Sequence, residues 1–188
     1  AVAQGVVSYS VDSHSELEKL IEIVPAANTE ITVRFKLPVN GAAYNFGAKF
    51  GATVELASEL LRRVAEAGFL ASLTFHPGTQ CTDPMAWDSY IRAAADICER
   101  AGVVARRLNV GGGFPSHRVA GELPQLDAIF ALIDEVATEA FGANRWQVEY
   151  GPEWGSSYEF ARTSPTFHEG RLYLVGGLGH VVCVDAKK

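Results

Sequence analysis

Segments with two different hydrophobic periods alternate along the first two-thirds of the chain, and this alternation most constrains its fold. Segments typical of β-strands, rich in β-branched or alternating apolar residues, occupy 6–10, 30–37, 69–75, 107–110 and 146–149. The segments between them have helical spacing. One begins at Ser13, with Glu16 placed to complete a capping box, and the others cover 56–64, 84–100 and 124–140. Repeated strand–helix units of this length predict a parallel sheet with crossover helices.

Polar and glycine-rich residues recur at the carboxyl ends of several of these predicted strands. They are Arg34, His76, the run from Gly111 to Gly113, and Glu149. In a (β/α)8 barrel the carboxyl ends of the strands form the face that carries the active site. An open, doubly wound sheet would show the same pattern, so periodicity alone leaves both architectures open. A complete barrel needs about 250 residues, so we expect a chain of 188 residues to supply only part of one.

The pattern changes after Gly151. From Thr163 the chain reads as a strand, a turn at 169–170, a strand at 171–175, a turn at 176–179 and a strand at 180–185. This is the pattern of an antiparallel meander without a crossover helix. Because the composition breaks near Tyr150, we expect two domains, residues 1–151 and residues 152–188.

The composition excludes several classes of function. A net charge of −6 without clustered Lys and Arg argues against nucleic acid as a partner. No stretch approaches the ~18 apolar residues of a membrane span, and the start lacks the pattern of a signal peptide. Cys81, Cys98 and Cys183 form no CxxC pair, so neither a disulfide framework nor a metal site is indicated. We therefore expect a cytoplasmic protein.

Two glycine-containing loops are candidates for chemistry. Gly111, Gly112 and Gly113 follow an apolar strand, and their backbone N–H groups either converge on an anion or simply form a tight corner. His76 leaves the end of another strand and is followed by a Gly turn and Thr79. A histidine in this position is either structural or stacks on a flat cofactor ring while Thr79 reaches its phosphate.

Two charged residues at strand ends also admit two interpretations. Glu149 is either a surface acid or a carboxylate that holds a proton on a heteroaromatic nitrogen. Arg34 lies in an otherwise apolar strand, so it needs a partner if it is buried. A phenolate or a carboxylate of a ligand would serve.

Together these motifs resemble a known family. The ordered blocks are VRFKL, KFG, FHPGTQCTDP, LNVGGGFP and VEYG, between about residue 7 and residue 151. The set is similar to the pyridoxal 5′-phosphate (PLP) binding barrel of the ornithine, lysine, arginine and diaminopimelate decarboxylases, which is the alanine-racemase-like fold. The resemblance implies a partial (β/α)8 barrel and decarboxylation of a basic amino acid by a family that is homodimeric.

The resemblance also implies a role for each motif residue. His76 would stack on the pyridine ring and Thr79 would bind the phosphate. Backbone amides of Gly111–Gly113 would also bind the phosphate, Glu149 would contact the pyridine nitrogen, and Arg34 would lie near the polar edge of the ring. His76 and Glu149 are thus the candidate catalytic residues. In the family, PLP withdraws electrons as CO2 leaves the amino acid.

The sequence departs from the family pattern in two places. The family's imine-forming lysine lies in a block like Tyr-Ala-Val-Lys, which these residues do not contain; Lys36 and Lys49 do not match its position. The family's Glu-Pro-Gly-Arg block reads Glu149-Tyr150-Gly151-Pro152 here, without the arginine that grips the phosphate. The chain is therefore expected to be incomplete and weakly active or inactive, and a non-catalytic relative that binds a protein partner is the alternative.

The tail has its own resemblance. Residues from about 154 to 188 are similar to one repeat of the quinoprotein-type β-propellers, notably the segments SPTFHEGRLY and GHVVCVDA. One blade cannot bury its faces without neighbours, so a meander that docks on the barrel is the alternative. If the tail is the functional part, the chain is a fragment of a propeller-related assembly protein.

Overall fold

The computed structural model describes residues 1–44, 47, 49–115 and 126–142, and three strands within 166–185. The chain divides into two compact units. One contains residues 1–115 and 125–142, and the other contains residues 116–124 and 143–188. The strand predicted at 146–149 lies outside the described residues.

The first unit alternates strands and helices, as the sequence predicts. After a short 3₁₀ helix (Val2–Gln4) come β1 (Ser8–Val11), α1 (His14–Ile23), β2 (Glu30–Arg34), α2 (Val54–Glu66), β3 (Leu70–Thr74), α3 (Met85–Ala101), β4 (Leu108–Asn109) and α4 (Leu126–Phe141). The four strands form one sheet in the order β1-β2-β3-β4, and every pair is parallel. The predicted parallel sheet with crossover helices is therefore confirmed, with strand bounds that differ from the predicted ones by at most three residues.

Local signals explain where the helices begin and end. The Ser13 hydroxyl accepts a hydrogen bond from the Glu16 amide, as expected of an N-cap, but the Glu16 carboxylate accepts from Lys19 instead of completing the capping box. At the C-terminal end of α3, Gly102 has φ 66° and its N–H donates to the carbonyl of Cys98. A left-handed C-cap of this kind favours glycine.

The two faces of the sheet differ in chemistry. Ile31, Val33 and Leu73 are fully buried and join a core that includes Leu60 and Ile91 of the helices. Side chains alternate along a strand, so the strand register places a polar set on the opposite face: Ser8, Ser10, Glu30, Thr32, Arg34, Ser72, Thr74 and Asn109. The alternation predicted for the 30–37 segment agrees with this arrangement, but a polar face shared by all four strands was not predicted.

The second unit contains a separate three-stranded sheet. Its strands β5 (Thr166–His168), β6 (Arg171–Val175) and β7 (Val181–Asp185) are antiparallel in the order β5-β6-β7. This confirms the predicted meander. Within the described parts of both units, no helix is both long and apolar enough to cross a membrane.

Candidate functional site

The glycine corner and the loop after β3 are packed directly against each other. A Cβ atom added to Gly111 would overlap the carbonyl oxygen of Phe75, and one added to Gly113 would overlap the carbonyl oxygen of Gly78. The Gly113 carbonyl also accepts a hydrogen bond of 2.8 Å from the Cys81 amide. The absence of side chains at these glycines is thus what allows the two loops to approach.

His76 lies against this glycine corner in a defined tautomer. Its Nδ1 accepts a hydrogen bond of 3.1 Å from the Gly78 amide, so a neutral ring carries its proton on Nε2. Burial lowers the pKa of His76, and the positive charge of Arg34 lowers it further, against a smaller upward effect of its own backbone. His76 is therefore a neutral, half-buried imidazole at neutral pH.

Two backbone hydrogen bonds fix the position of Thr79. Its N–H donates to the carbonyl of Tyr44, and its carbonyl accepts from the amide of Ala43, both at 2.9 Å. The half-buried Thr79 hydroxyl makes no hydrogen bond to another residue in the described part of the chain. Since its neighbours Gly78 and Cys81 both contact Gly113, Thr79 belongs to the same loop cluster as the glycine corner.

The three glycine amides are not equivalent. The Gly111 amide donates to the side-chain oxygen of Asn109 at 2.9 Å. Among the described residues, the amides of Gly112 and Gly113 have no acceptor. Any anion at this corner would therefore be bound by the last two glycines, while Asn109 fixes the first.

Arg34 brings a positive charge to the same end of the sheet. It is the last residue of β2, opposite Thr74 of β3, and its side chain is half-buried. Its guanidinium carbon lies 5.1 Å from the centre of the Phe50 ring, a cation–π distance. In the part of the chain that the structure describes, no carboxylate lies within ion-pair distance of Arg34.

The segment after Phe50 runs beside the end of β2. The Ala52 amide donates to the Arg34 carbonyl at 2.9 Å, and the Lys36 amide donates to the Ala52 carbonyl at 3.0 Å. The Gly51 amide donates to the Asp12 carboxylate at 2.8 Å. Asp12 was not among the predicted site residues, although its polar side chain directly after β1 is the signal that could have identified it.

Two further residues named in the sequence comparison are Lys36, which does not match the family lysine, and Glu149, a predicted site residue. The Lys36 ammonium donates to the carbonyl of Gly47 at 2.6 Å, and Lys36 lines a cavity of about 560 Å³ with Thr53 and Val54. Glu149 lies outside the described residues, so its position beside the other residues stays a prediction.

A family match covers most of the chain. Residues 1–158 match the family described as pyridoxal-dependent decarboxylase, pyridoxal binding domain. The chain belongs to this decarboxylase family. The family prediction is thereby confirmed, and with it PLP as the cofactor of the family.

Individual relatives agree with this assignment. The lysine/ornithine decarboxylase of Selenomonas ruminantium is 31% identical over 137 residues, which cover 71% of this chain and 34% of that enzyme. A solved structure of a mutant of SrLDC in complex with PLP has a TM-score of 0.66 and 30% identity over 75% of this chain and 37% of that one. The arginine decarboxylase of Paramecium bursaria Chlorella virus has a TM-score of 0.64 and 25% identity over 76% and 38%.

These likenesses confirm the partial (β/α)8 barrel. This decarboxylase-family chain spans about a third of the length of the Selenomonas relative.

Proposed function

We propose that this chain binds PLP by noncovalent contacts at the carboxyl ends of β2, β3 and β4. We further propose that this chain is part of an enzyme that decarboxylates a basic amino acid of the ornithine, lysine, arginine or diaminopimelate type. One observation carries the proposal. Within the described residues, the Thr79 hydroxyl and the amides of Gly112 and Gly113 have no acceptor, and they lie in the same loop cluster as the neutral His76 imidazole.

The phosphate of the cofactor accounts for the unsatisfied donors. Its oxygens would accept from the Thr79 hydroxyl and from the amides of Gly112 and Gly113. Such bonds to a charged acceptor are roughly twice as strong as neutral ones. Arg34 adds a positive charge near the site, and its effect on the pKa of His76 supports a positive potential there.

The ring of the cofactor accounts for the state of His76. A neutral imidazole can stack on a protonated pyridine ring without like-charge repulsion, whereas an imidazolium would repel it. The hydrogen bond from Gly78 to Nδ1 fixes the rotation of the imidazole. His76 would therefore cover one face of the ring and exclude water from it.

Glu149 would hold a proton on the pyridine nitrogen, and the residues of this chain would otherwise orient the cofactor. Bound PLP supplies an electron sink for the carbanion left when CO2 departs. A protonated nitrogen deepens that sink, so Glu149 remains a proposed catalytic residue. His76 remains one because it would stack on the reacting ring.

The contact of Lys36 with Gly47 supports binding without a covalent link to this chain. Borohydride reduction followed by mass spectrometry tests this part. We expect no stoichiometric pyridoxyl adduct and no turnover of ornithine, lysine or arginine by the 188-residue chain. An adduct on Lys36 that disappears in Lys36→Ala would contradict it.

Calorimetric titration with PLP and with pyridoxal, which lacks the phosphate, tests the proposed site. We expect PLP to bind more tightly than pyridoxal. Thr79→Val should weaken binding of PLP by about tenfold, the scale of one hydrogen bond to a charged group, and leave pyridoxal unaffected. Thr79→Ser keeps the hydroxyl and serves as the control. Equal affinity of the two ligands would contradict the proposal.

The assembly of the protein is a separate part of the proposal. The family resemblance supports a homodimer that takes an amino-acid substrate. Sedimentation equilibrium should give about twice the 20.2 kDa mass of the chain, and a monomer at all concentrations would contradict this.

The tail is proposed as a second domain, residues 152–188, with a propeller-like repeat. Its antiparallel β5-β6-β7 sheet supports this and equally fits a docked meander. Limited proteolysis of the whole chain should cut first near residue 151. A first cut within the parallel sheet would contradict the boundary.

A further inference from the structure

Asp12 connects the first strand to the loop that follows the second. It comes directly after β1, and its Oδ2 accepts the Gly51 amide proton at 2.8 Å. Gly51 has φ 95°, and a Cβ atom there would lie 2.9 Å from the Cβ of Lys36. Gly51 is thus both bonded to Asp12 and packed closely against the chain that continues β2.

The residue before Gly51 holds the charge of the candidate site. The Phe50 ring lies 5.1 Å from the guanidinium carbon of Arg34, and Phe50 is 47% exposed. Among the described residues Arg34 has no carboxylate partner, and its guanidinium is in cation–π contact with this ring. The position of the ring depends in turn on the position of Gly51.

We propose that Asp12 is a positioning residue for the cofactor site. Its carboxylate fixes Gly51, Gly51 fixes the Phe50 ring, and the ring holds the Arg34 guanidinium beside His76. The consequence for PLP rests on the function proposed above, whereas the consequence for the neighbouring imidazole does not.

The first test compares two substitutions at Asp12 by PLP titration. Asp12→Ala removes the acceptor of the Gly51 amide, so we expect PLP binding to weaken by about tenfold, the scale of one charged hydrogen bond. Asp12→Asn keeps a side-chain oxygen that accepts this amide proton, so we expect its affinity for PLP to lie close to that of the wild type. Glu22→Ala, which removes an exposed carboxylate of α1, controls for net charge.

The second test follows the imidazole of His76 by NMR titration without PLP. If Asp12→Ala releases Arg34 from its place, the pKa of His76 should rise, because a positive neighbour has moved away. Loss of the Asp12 charge alone acts in the opposite direction, so Asp12→Asn should leave this pKa unchanged or lower. The two variants therefore separate positioning from charge.

Phe50→Leu tests the contact between the Phe50 ring and the Arg34 guanidinium. Because Phe50 is exposed, this substitution leaves the buried core intact. We expect the same rise in the pKa of His76 and a similar loss of PLP affinity as in Asp12→Ala. If PLP does not bind even the wild type but the pKa of His76 still rises in both variants, the proposed function fails and the positioning role stands. If the pKa of His76 is unchanged in folded Asp12→Ala or in Phe50→Leu, the positioning role is wrong.

Discussion

The polar side chains at the two ends of the parallel sheet differ in their hydrogen-bond and ion-pair partners. At the amino ends, the Glu30 carboxylate accepts from the hydroxyls of Ser8 at 3.2 Å and Ser72 at 2.5 Å. It also accepts from the Arg107 guanidinium at 2.6 Å. At the carboxyl ends, the Arg34 guanidinium faces a ring instead of a carboxylate.

We infer from this difference that the polar groups at the amino ends stabilise the fold, whereas those at the carboxyl ends serve to bind a ligand. A buried carboxylate with three donors connects β1, β2, β3 and the residue directly before β4, and its loss would leave those donors unsatisfied. At the carboxyl ends, the active-site face of a (β/α)8 barrel, the Thr79 hydroxyl and the amides of Gly112 and Gly113 have no acceptor among the described residues. Such donors cost free energy when they lose water, and the proposed ligand would supply their acceptors.

The largest expected effect is on the amino-end network. Glu30→Ala should lower the free energy of unfolding by about 3 kcal/mol, at the lower end for a broken buried ion pair because Arg107 remains partly exposed. Urea denaturation measures this, with Glu22→Ala as a control expected to stay within ~0.5 kcal/mol of the wild type. The affinity of the folded protein for PLP should not change. Unaltered stability of Glu30→Ala would remove the distinction between the two ends.

The next effect is at the carboxyl ends and should have the opposite character. Arg34→Met removes a charge that has no carboxylate partner in the described part of the chain, so stability should stay within ~0.5 kcal/mol of the wild type. PLP should bind about 30-fold more weakly, which corresponds to about 2 kcal/mol, the scale of a charged interaction. Paired urea denaturation and PLP titration measure both quantities. A large loss of stability with unchanged affinity would assign Arg34 to the framework.

A smaller effect is expected from the stacking residue. His76→Ala should weaken PLP binding by about 1 kcal/mol, the contribution of an aromatic pair. His76→Phe keeps a flat ring and should retain more of the affinity than the alanine variant. Equal affinity of wild type and His76→Ala would leave His76 with a purely structural role.

The smallest effect is a dependence of stability on pH. Because burial lowers the pKa of His76 from its ordinary value of 6.5, the unfolded chain binds a proton at a higher pH than the folded chain does. The contribution of neutral His76 is therefore complete above about pH 6.5 and is lost as pH falls toward the lowered pKa. Comparing wild type with His76→Asn over this range isolates the effect. Parallel curves of stability against pH for the two proteins would show that the pKa of His76 is not lowered by folding.

The sequence predicts the scaffold better than it predicts the site. Helix ends at Ser13 and Gly102 follow from capping chemistry that acts within a few residues, and alternation is visible in the strands themselves. The resemblance brought His76, Thr79 and the glycines together as candidates. It could not show that the Asn109 side chain accepts the hydrogen bond of the Gly111 amide.

Long-range contacts account for what the sequence missed. Asp12 and Gly51 are 39 residues apart, and Glu30 and Arg107 are 77 apart. No periodicity within a strand or helix encodes such pairs, because they depend on how neighbouring strands are aligned. The extent of the polar face depends on the same alignment. Glu30, Thr32 and Arg34 share one side of β2 by alternation, but the polar residues of β1 and β3 join them only through the strand register.

NMR chemical-shift mapping of the whole chain during a PLP titration compares the two ends of the sheet most directly. We predict saturable shifts of the amides of Thr79, Gly112 and Gly113 and of the His76 ring. Resonances of Ser72 and Glu30 at the amino ends should stay in place. Saturable shifts centred on Ser72 and Glu30, or no saturable shift at the glycine corner, would contradict a PLP site at the carboxyl ends.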